Sequence, residues 1–405
     1  MWLPAHMIRH TMTHQVLRIA FVDYVVDPKH PGLTGLSDVV WDMASELINQ
    51  GHEVHIVASY HTQHYPDPRV IVHNFPTPPI GYRNIVGHLM ILGRAAVYLR
   101  QINPDIIHAP EYVSTAVFAT LGLKAPLVLT VPGNIYQRIR QGHGYDWHFV
   151  QVLKWAARTS ARHCASVIAI SQEMKYWWER TGSAPERTPW IPYGVSPARF
   201  SPQSGARARL HIADSAQLLL YVGRFSREKG LLDLLDAVSQ IRDRIPGWAP
   251  RIVLVGGGPQ EAEIRGRVQA LELEPIVQMR GWVLQDELKW WYSAADALLM
   301  PSWNEPLGRV MLEAMLCGTP VIASATEGPN DHIRDSATGF LFPPHNVEQL
   351  AGILEHVATH REVLRNMRRA TLEYASERLI WPKIVERIVQ EVYEPIVCQS
   401  MHMTI

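Results

Sequence analysis

Two short segments bring together residue types that handle anions. In Tyr221-Val222-Gly223-Arg224-Phe225-Ser226-Arg227-Glu228-Lys229-Gly230, an apolar run ends at a glycine, and Arg224 and Lys229 flank the turn that follows. A guanidinium grips phosphate in a fork and an ammonium adds a point charge, so the spacing suits a diphosphate. It equally describes two exposed bases beside a turn. In Pro301-Ser302-Trp303-Asn304-Glu305-Pro306-Leu307-Gly308-Arg309-Val310-Met311-Leu312-Glu313, a strand, a loop and a helix follow one another. Pro306 suits a first helical turn, and the free amides there would point at an anion. Glu305 lies in the loop. Glu313 is expected two turns into the helix, among Val310, Met311, Leu312, Ala314 and Met315. A carboxylate in such company needs a partner. It could take both hydroxyls of a ribose; the plainer alternative is a pair of acids serving the helix dipole and the solvent.

The elements that must position these segments alternate between short apolar runs and amphipathic stretches. Val16–Val22, Glu53–Ala58, Ile106–His108, Leu127–Val131 and Val167–Ile170 read as buried strands, with a helical stripe over Asp38–Asn49. Five prolines and glycines punctuate residues 191–205. The rhythm then restarts with strands at Leu218–Val222, Arg251–Val255, Ile276–Met279, Ala297–Pro301 and Pro320–Ala323. Helices are expected at Leu231–Arg242, Gln260–Leu271 and Leu307–Cys317, and Trp381–Tyr393 closes the chain. This βαβ order predicts an α/β protein of two doubly wound domains facing a cleft. The boundaries fall at 1–195 and 196–375, with 376–405 as a closing helix. Ligands of such sheets bind beyond the strand carboxyl ends.

Composition narrows the class. The 405 residues carry 38 Lys+Arg and 38 Asp+Glu, which disfavours nucleic acid as the main partner. Three dispersed cysteines, Cys164, Cys317 and Cys398, exclude a disulfide framework and fit a reducing compartment. No apolar run reaches the ~18 residues of a membrane span, so a cytoplasmic protein is expected. His52-Glu53-Val54-His55 lacks the spacing of a helical zinc site. Gly256-Gly257-Gly258-Pro259 follows a strand, but Glu261 replaces the third glycine of a dinucleotide fingerprint, which argues against a NAD-dependent dehydrogenase.

The two segments resemble the retaining glycosyltransferases of the GT-B fold, specifically glycosyltransferase family 4. The shared signature reads here as Gly223-Arg224…Lys229-Gly230, then Glu305…Glu313, then Ala314-Met315-Leu316-Cys317-Gly318-Thr319-Pro320-Val321-Ile322-Ala323. Ala169-Ile170-Ser171, Ile191-Pro192-Tyr193-Gly194-Val195, Ser293-Ala294-Ala295-Asp296-Ala297 and Gly339-Phe340-Leu341-Phe342-Pro343-Pro344 extend the likeness over most of the chain. The resemblance implies a nucleoside-diphosphate-sugar donor, UDP- or GDP-linked, in the C-terminal domain, and no further cofactor. Arg224 and Lys229 would hold the diphosphate beside Gly223, and Glu313 the ribose. Glu305, with Pro306, Leu307 and Gly308 after it, would face the transferred sugar. Trp282 and Val283 would border the nucleobase, and Gly35 would approach the phosphates from the N-terminal domain. The closing helix would cross back onto that domain.

The N-terminal domain departs from the family pattern. Pro110 replaces the second histidine of H-x-H after His108, and Pro132 the histidine of T-x-H-G. His108, as a buried strand histidine satisfied by backbone or as a cleft residue, and the loop residues Glu111, Asn134, Tyr136 and Arg138 are the candidates for acceptor contacts. The acceptor would be a glycan, a lipid-linked sugar or a small molecule. Without a D-x-D element the chemistry is expected to need no metal. Trp177-Trp178, Trp290-Trp291 and the bases at Arg138–Arg140 raise peripheral association with the inner membrane face. The alternatives are a nucleotide-sugar-binding relative without transferase activity, an epimerase, and a glucan synthase whose K-x-G-G-like loop is not matched by His30-Pro31-Gly32-Leu33-Thr34-Gly35.

Overall fold

The computed structural model describes residues 15–23, 34–58, 67–76, 85–131, 147–245 and 247–402. The strands of the first half are β1 (Arg18–Asp23), β2 (Glu53–Ala58), β3 (Ile71–Asn74), β4 (Ile106–Ala109), β5 (Leu127–Thr130) and β6 (Ser166–Ile168). Between them run α1 (Thr34–Asn49), α2 (Ile85–Ile102), α3 (Tyr112–Thr120) and α4 (Trp147–His163), with α5 (Gln172–Thr181) after β6. The second half contributes α6 (Ala206–Arg209), β7 (Leu218–Val222), α7 (Leu231–Arg244), β8 (Arg251–Val255), α8 (Glu261–Ala270), β9 (Val277–Gly281) and α9 (Gln285–Ala294). It continues with β10 (Ala297–Met300), α10 (Arg309–Leu316), β11 (Val321–Ser324), α11 (Glu327–His332), β12 (Gly339–Phe342), α12 (Val347–Thr359) and α13 (Glu362–Arg378). The chain closes with α14 (Trp381–Ile388), a π-helical stretch over Val389–Tyr393 and α15 (Glu394–His402).

Both sheets are parallel throughout. The first has the order β3-β2-β1-β4-β5-β6 and the second β12-β11-β10-β7-β8-β9. Each chain path therefore reverses direction once, between β1 and β4 in the first sheet and between β7 and β10 in the second. Crevices open at such switch points, outside the strand carboxyl ends. The inner strands β7, β10 and β11 are buried along their whole length, as sheets covered by helices on both faces require. The edge strand β3 was not anticipated. Its Ile71 and Asn74 are exposed, so no apolar run announces it. The expected closing helix is correct in position but not in form, since the π stretch divides it.

Two chain segments join the halves side by side. The amide of Val195 donates to the Leu379 carbonyl at 2.7 Å, and that of Trp381 returns to the Val195 carbonyl at 3.2 Å. The α14 helix then packs on α1, where Trp381 Nε1 donates to Asp42 Oδ2 at 3.0 Å. Gly194 makes this junction fit: a Cβ there would lie 2.6 Å from Trp381 Cδ2 and 2.8 Å from its Cα. Gly194→Ala should lower the unfolding free energy by about 1–3 kcal/mol through overpacking, read as a lower urea midpoint at unchanged slope.

Candidate functional site

The second switch point brings the two anion-handling segments together. After β7, Gly223 lets the chain turn beside β8, where a Cβ on Gly256 would stand 1.9 Å from the Gly223 carbonyl. The segment ends at Gly230, which caps α7 at φ +64° and whose Cβ would lie 2.0 Å from the Pro301 carbonyl. Only glycine permits both that conformation and that approach. The contact presses the β7 loop onto the β10 loop. The Trp303 amide donates to the Glu228 carbonyl at 2.8 Å, and its indole to Asp233 Oδ2 at 2.7 Å.

Within this frame Lys229 Nζ and Glu305 Oε2 form an ion pair at 2.6 Å, and Ser302 Oγ donates to the same oxygen at 3.3 Å. Glu305 is the more enclosed partner, with 12% of its side chain exposed against 26% for Lys229. Arg224 is exposed and has no hydrogen bond or ion pair from its side chain among the described residues, so its guanidinium is available to a ligand. Burial pushes the Glu228 carboxyl up, but the bond from Ser226, the Glu228 amide and then the charges of Lys229 and Arg224 together hold it below its usual pKa.

The helix begins later than expected. Pro306 and Leu307 stay in the loop, Gly308 caps α10 at φ +81°, and Arg309 is the first helical residue. Pro306 is thus not a first-turn proline, and Glu313 sits one turn into the helix, not two. The reason is Gly308, whose left-handed backbone interrupts the helix before Arg309. The amides of Leu307, Gly308 and Val310 have no acceptor among the described residues, and they face the anion-favouring end of α10.

Glu313 is buried, and desolvation raises its pKa. Three groups oppose that rise: Arg309 Nη2, 3.8 Å away, the hydroxyl of Tyr292, which donates to Oε2 at 2.9 Å, and the charge of Arg199. Arg309 also reaches across to Asp38 Oδ2 of α1 at 4.0 Å, and Gln285 Nε2 donates to the same oxygen at 3.4 Å. Asp42, one helical turn on, pairs with Arg199 and accepts from Trp381. The two domains therefore meet through charged groups next to Glu313. Sequence reasoning passed over Arg309 as a functional residue, although its spacing of four from Glu313 marks a helical pair. Tyr292 comes from a different element and left no local signal.

Trp282 is 66% exposed beyond β9, its indole close over Gly257, and Val283 beside it is half-buried. Gly35 lies in the first turn of α1. Among the acceptor candidates, His108 is buried at the end of β4, but its partners are side chains and not backbone. Nδ1 meets the Tyr393 hydroxyl at 2.6 Å and Nε2 the Thr130 hydroxyl at 2.7 Å. Burial depresses its pKa to about 3, so the ring is neutral and both nitrogens are occupied. Glu111 is occupied as well: its carboxylate caps α3 by accepting from the amides of Val113 at 2.9 Å and Ser114 at 2.6 Å. Both side chains are thus engaged with partners inside the first domain or the closing helices. Asn134, Tyr136 and Arg138 lie outside the described residues, as do the bases up to Arg140.

The tryptophan pairs are packing residues. Trp178 is fully buried against Trp177 and Tyr112, Trp291 is buried, and Trp290 lies under the Arg209 guanidinium at 4.7 Å. No described helix is long and apolar enough to cross a membrane. Among the described residues no group of three His, Cys, Asp or Glu side chains could hold a metal ion.

Two doubly wound domains in this strand order, with their switch points facing one cleft, have the architecture of the GT-B fold. The chain belongs to glycosyltransferase family 4: residues 33–199 match the family model described as Glycosyltransferase Family 4, and 203–375 that described as Glycosyl transferases group 1. The D-inositol 3-phosphate glycosyltransferase of Pseudarthrobacter chlorophenolicus is 30% identical over 84% of this chain and 86% of its own. The structure is similar to sucrose-phosphate synthase from Thermosynechococcus elongatus, with a TM-score of 0.79 at 25% identity over 95% and 100% of the two chains. It also shares its fold with Anabaena Alr3699/HepE, solved in complex with UDP-glucose, with a TM-score of 0.73 at 22% identity over 93% and 100%.

The Tyr292–Glu313 bond yields a test of the site's electrostatics. The hydroxyl stabilises the ionised carboxylate, whose folded pKa is raised above the unfolded value, so the bond contributes fully only at pH above that raised pKa. Tyr292→Phe should cost about 1–3 kcal/mol at pH 7. Because protonating Glu313 removes the charge that needs the bond, urea titrations at pH 5 should show a smaller loss than at pH 7.

Proposed function

We propose that this protein transfers a sugar, with retention of anomeric configuration and without a metal, from a nucleoside-diphosphate sugar to a hydroxylated acceptor. The observation that carries the reading is the Lys229–Glu305 pair, which ties the loop bearing the exposed Arg224 to the loop bearing the open amides of Leu307 and Gly308. A diphosphate entering this corner exchanges water for two cations and two or three N–H donors. Charge building on the leaving diphosphate in the transition state gains most from groups already fixed in place. A charge pair at ~4 Å and effective dielectric ~20 is worth ~4 kcal/mol. Glu305, which holds the Lys229 ammonium toward the loop, faces the sugar. Glu313, beside Arg309 and Tyr292, accepts the ribose hydroxyls, and Trp282 offers a flat apolar edge to the base.

In this reading the leaving diphosphate oxygen takes the acceptor proton on the face it departs from, so no protein nucleophile is required. Of the two donor classes, UDP-sugars are supported by the UDP-glucose found in the Anabaena neighbour. A phosphorylated cyclitol is the first acceptor to try, because the Pseudarthrobacter relative is named for one.

Calorimetry of UDP, GDP and ADP with chelator present tests the donor class: selective, saturable binding of UDP is expected, and binding of none of the three would overturn the reading. Lys229→Ala and Arg224→Ala should each reduce turnover by ~10²–10³ at saturating donor. Unaltered turnover in both would remove these residues from the diphosphate site. Product analysis by NMR should show the donor's anomeric configuration, with rates unchanged by EDTA.

A further inference from the structure

The end of the second sheet opposite the donor loops holds a cleft of ≈ 430 Å³ lined by four arginines. Three come from one element. Arg361 caps the start of α13, and Arg365 and Arg368 follow at spacings of four and three, which places all three on one helical face. The fourth, Arg207, belongs to α6. Strands β7 and β10 start at this cleft, immediately after Gln217 and Asp296. The same strands end at the donor loops, so the two sites lie at opposite ends of one pair of strands.

Positive charge and hydrogen-bond donors are both in surplus here. The facing carboxylates are Asp296 and Asp214, two against four guanidiniums. Asp296 Oδ2 is already shared by Arg207 Nη2 at 2.9 Å and the Leu218 amide at 2.8 Å. Arg368 donates to the carbonyls of Ala295 at 2.7 Å and Ser293 at 3.1 Å, and Arg361 to that of Ser215 at 2.8 Å. Arg365 has no hydrogen bond or ion pair among the described residues. Since each guanidinium offers five N–H donors, Arg361 and Arg365 retain nearly all of theirs. Desolvation lowers the pKa of Arg368, and the Arg207 charge adds to the fall while Asp296 opposes it. The first turn of a helix favours acids over bases. Arg361 and Arg365 therefore stand where the helix alone gains nothing from them.

We propose that this cleft binds a compact phosphate-class dianion, gripped by Arg361 and Arg365, while Arg368 and Arg207, whose terminal nitrogens already serve carbonyls and Asp296, add positive charge. A phosphate group carries the charge that the surplus of two cations requires, and planar guanidiniums match its oxygens in pairs. The volume admits the phosphate with a small organic group attached. The inference does not depend on the donor reading, because none of the four arginines belongs to the donor loops.

Calorimetric titration of the whole protein with inorganic phosphate, in a chloride buffer, tests it. Saturation below about 1 mM is expected, weakened at least about tenfold in Arg365→Glu and in Arg361→Glu. Circular dichroism of both variants should match the parent, and Lys229→Ala should bind phosphate unchanged. Competition by glucose 1-phosphate without cosedimentation on vesicles would identify a free phosphate compound as the source. Cosedimentation with phosphatidylcholine vesicles containing phosphatidic acid, lost in Arg365→Glu and on adding phosphate, would identify a lipid headgroup at the same site. No saturation up to about 10 mM with no vesicle binding overturns the proposal. So does phosphate binding that survives Arg365→Glu and is lost in Lys229→Ala.

Discussion

The close approach of Gly230 to the Pro301 carbonyl is the constraint on which the donor corner rests. With 2.0 Å between the place of a missing Cβ and that oxygen, no other residue fits without parting the two loops. Every other feature of the corner follows from the loops being held at that distance. Trp303 reaches both Glu228 and Asp233, Lys229 meets Glu305, and Gly308 turns the chain into α10 with its first amides open. A second close approach, of Gly328 to the Leu307 carbonyl, secures the other flank of the β10 loop. The loop is thus wedged between two backbones, a rigid support for groups that must be aligned before a reaction starts.

Glu313 shows what that rigidity costs elsewhere. A carboxylate without water gains from ionising only if neighbours replace the lost hydration. Tyr292 and Arg309 do so, but Arg309 is also drawn toward Asp38 on the other domain. The guanidinium therefore lies between an acid of the donor site and an acid of α1, and any ligand that engages Glu313 changes the balance between them. Asp42, Arg199 and Trp381 add a second set of polar contacts to the same interface. These pairs are partly exposed, and such interfaces between domains commonly open and close.

Much of this arrangement was legible in the residues. The strands at 53–58, 218–222 and 251–255 coincide with β2, β7 and β8 because each is a short apolar run buried on both faces. Arg224, Lys229, Glu305 and Glu313 lie on two segments that residue type singled out and that the family signature linked to one another. Helix starts were less legible: Gly308 delays α10 through a left-handed φ that Pro306 seemed to make unnecessary. The fates of His108 and Glu111 were hidden for a different reason. One is decided by a hydroxyl 285 residues away, and the other by amides that become free only once α3 exists. Chemistry at a strand end is written locally, whereas the partner that silences a buried side chain is not.

The Tyr393–His108 contact has a consequence for how the chain is made. Residues near the carboxyl end complete the interior of the domain that is synthesised first, through the Tyr393 hydroxyl and the Trp381 indole. The second domain, by contrast, is continuous from residue 203 to about 375. In the order of synthesis, Asp42 and His108 therefore precede, by 339 and 285 residues, the Trp381 and Tyr393 side chains that join them. Until that segment is made, Asp42 has only Arg199 and His108 only Thr130 of the partners described above. Two polypeptides cut between the domains would likewise separate the first sheet from part of its own core.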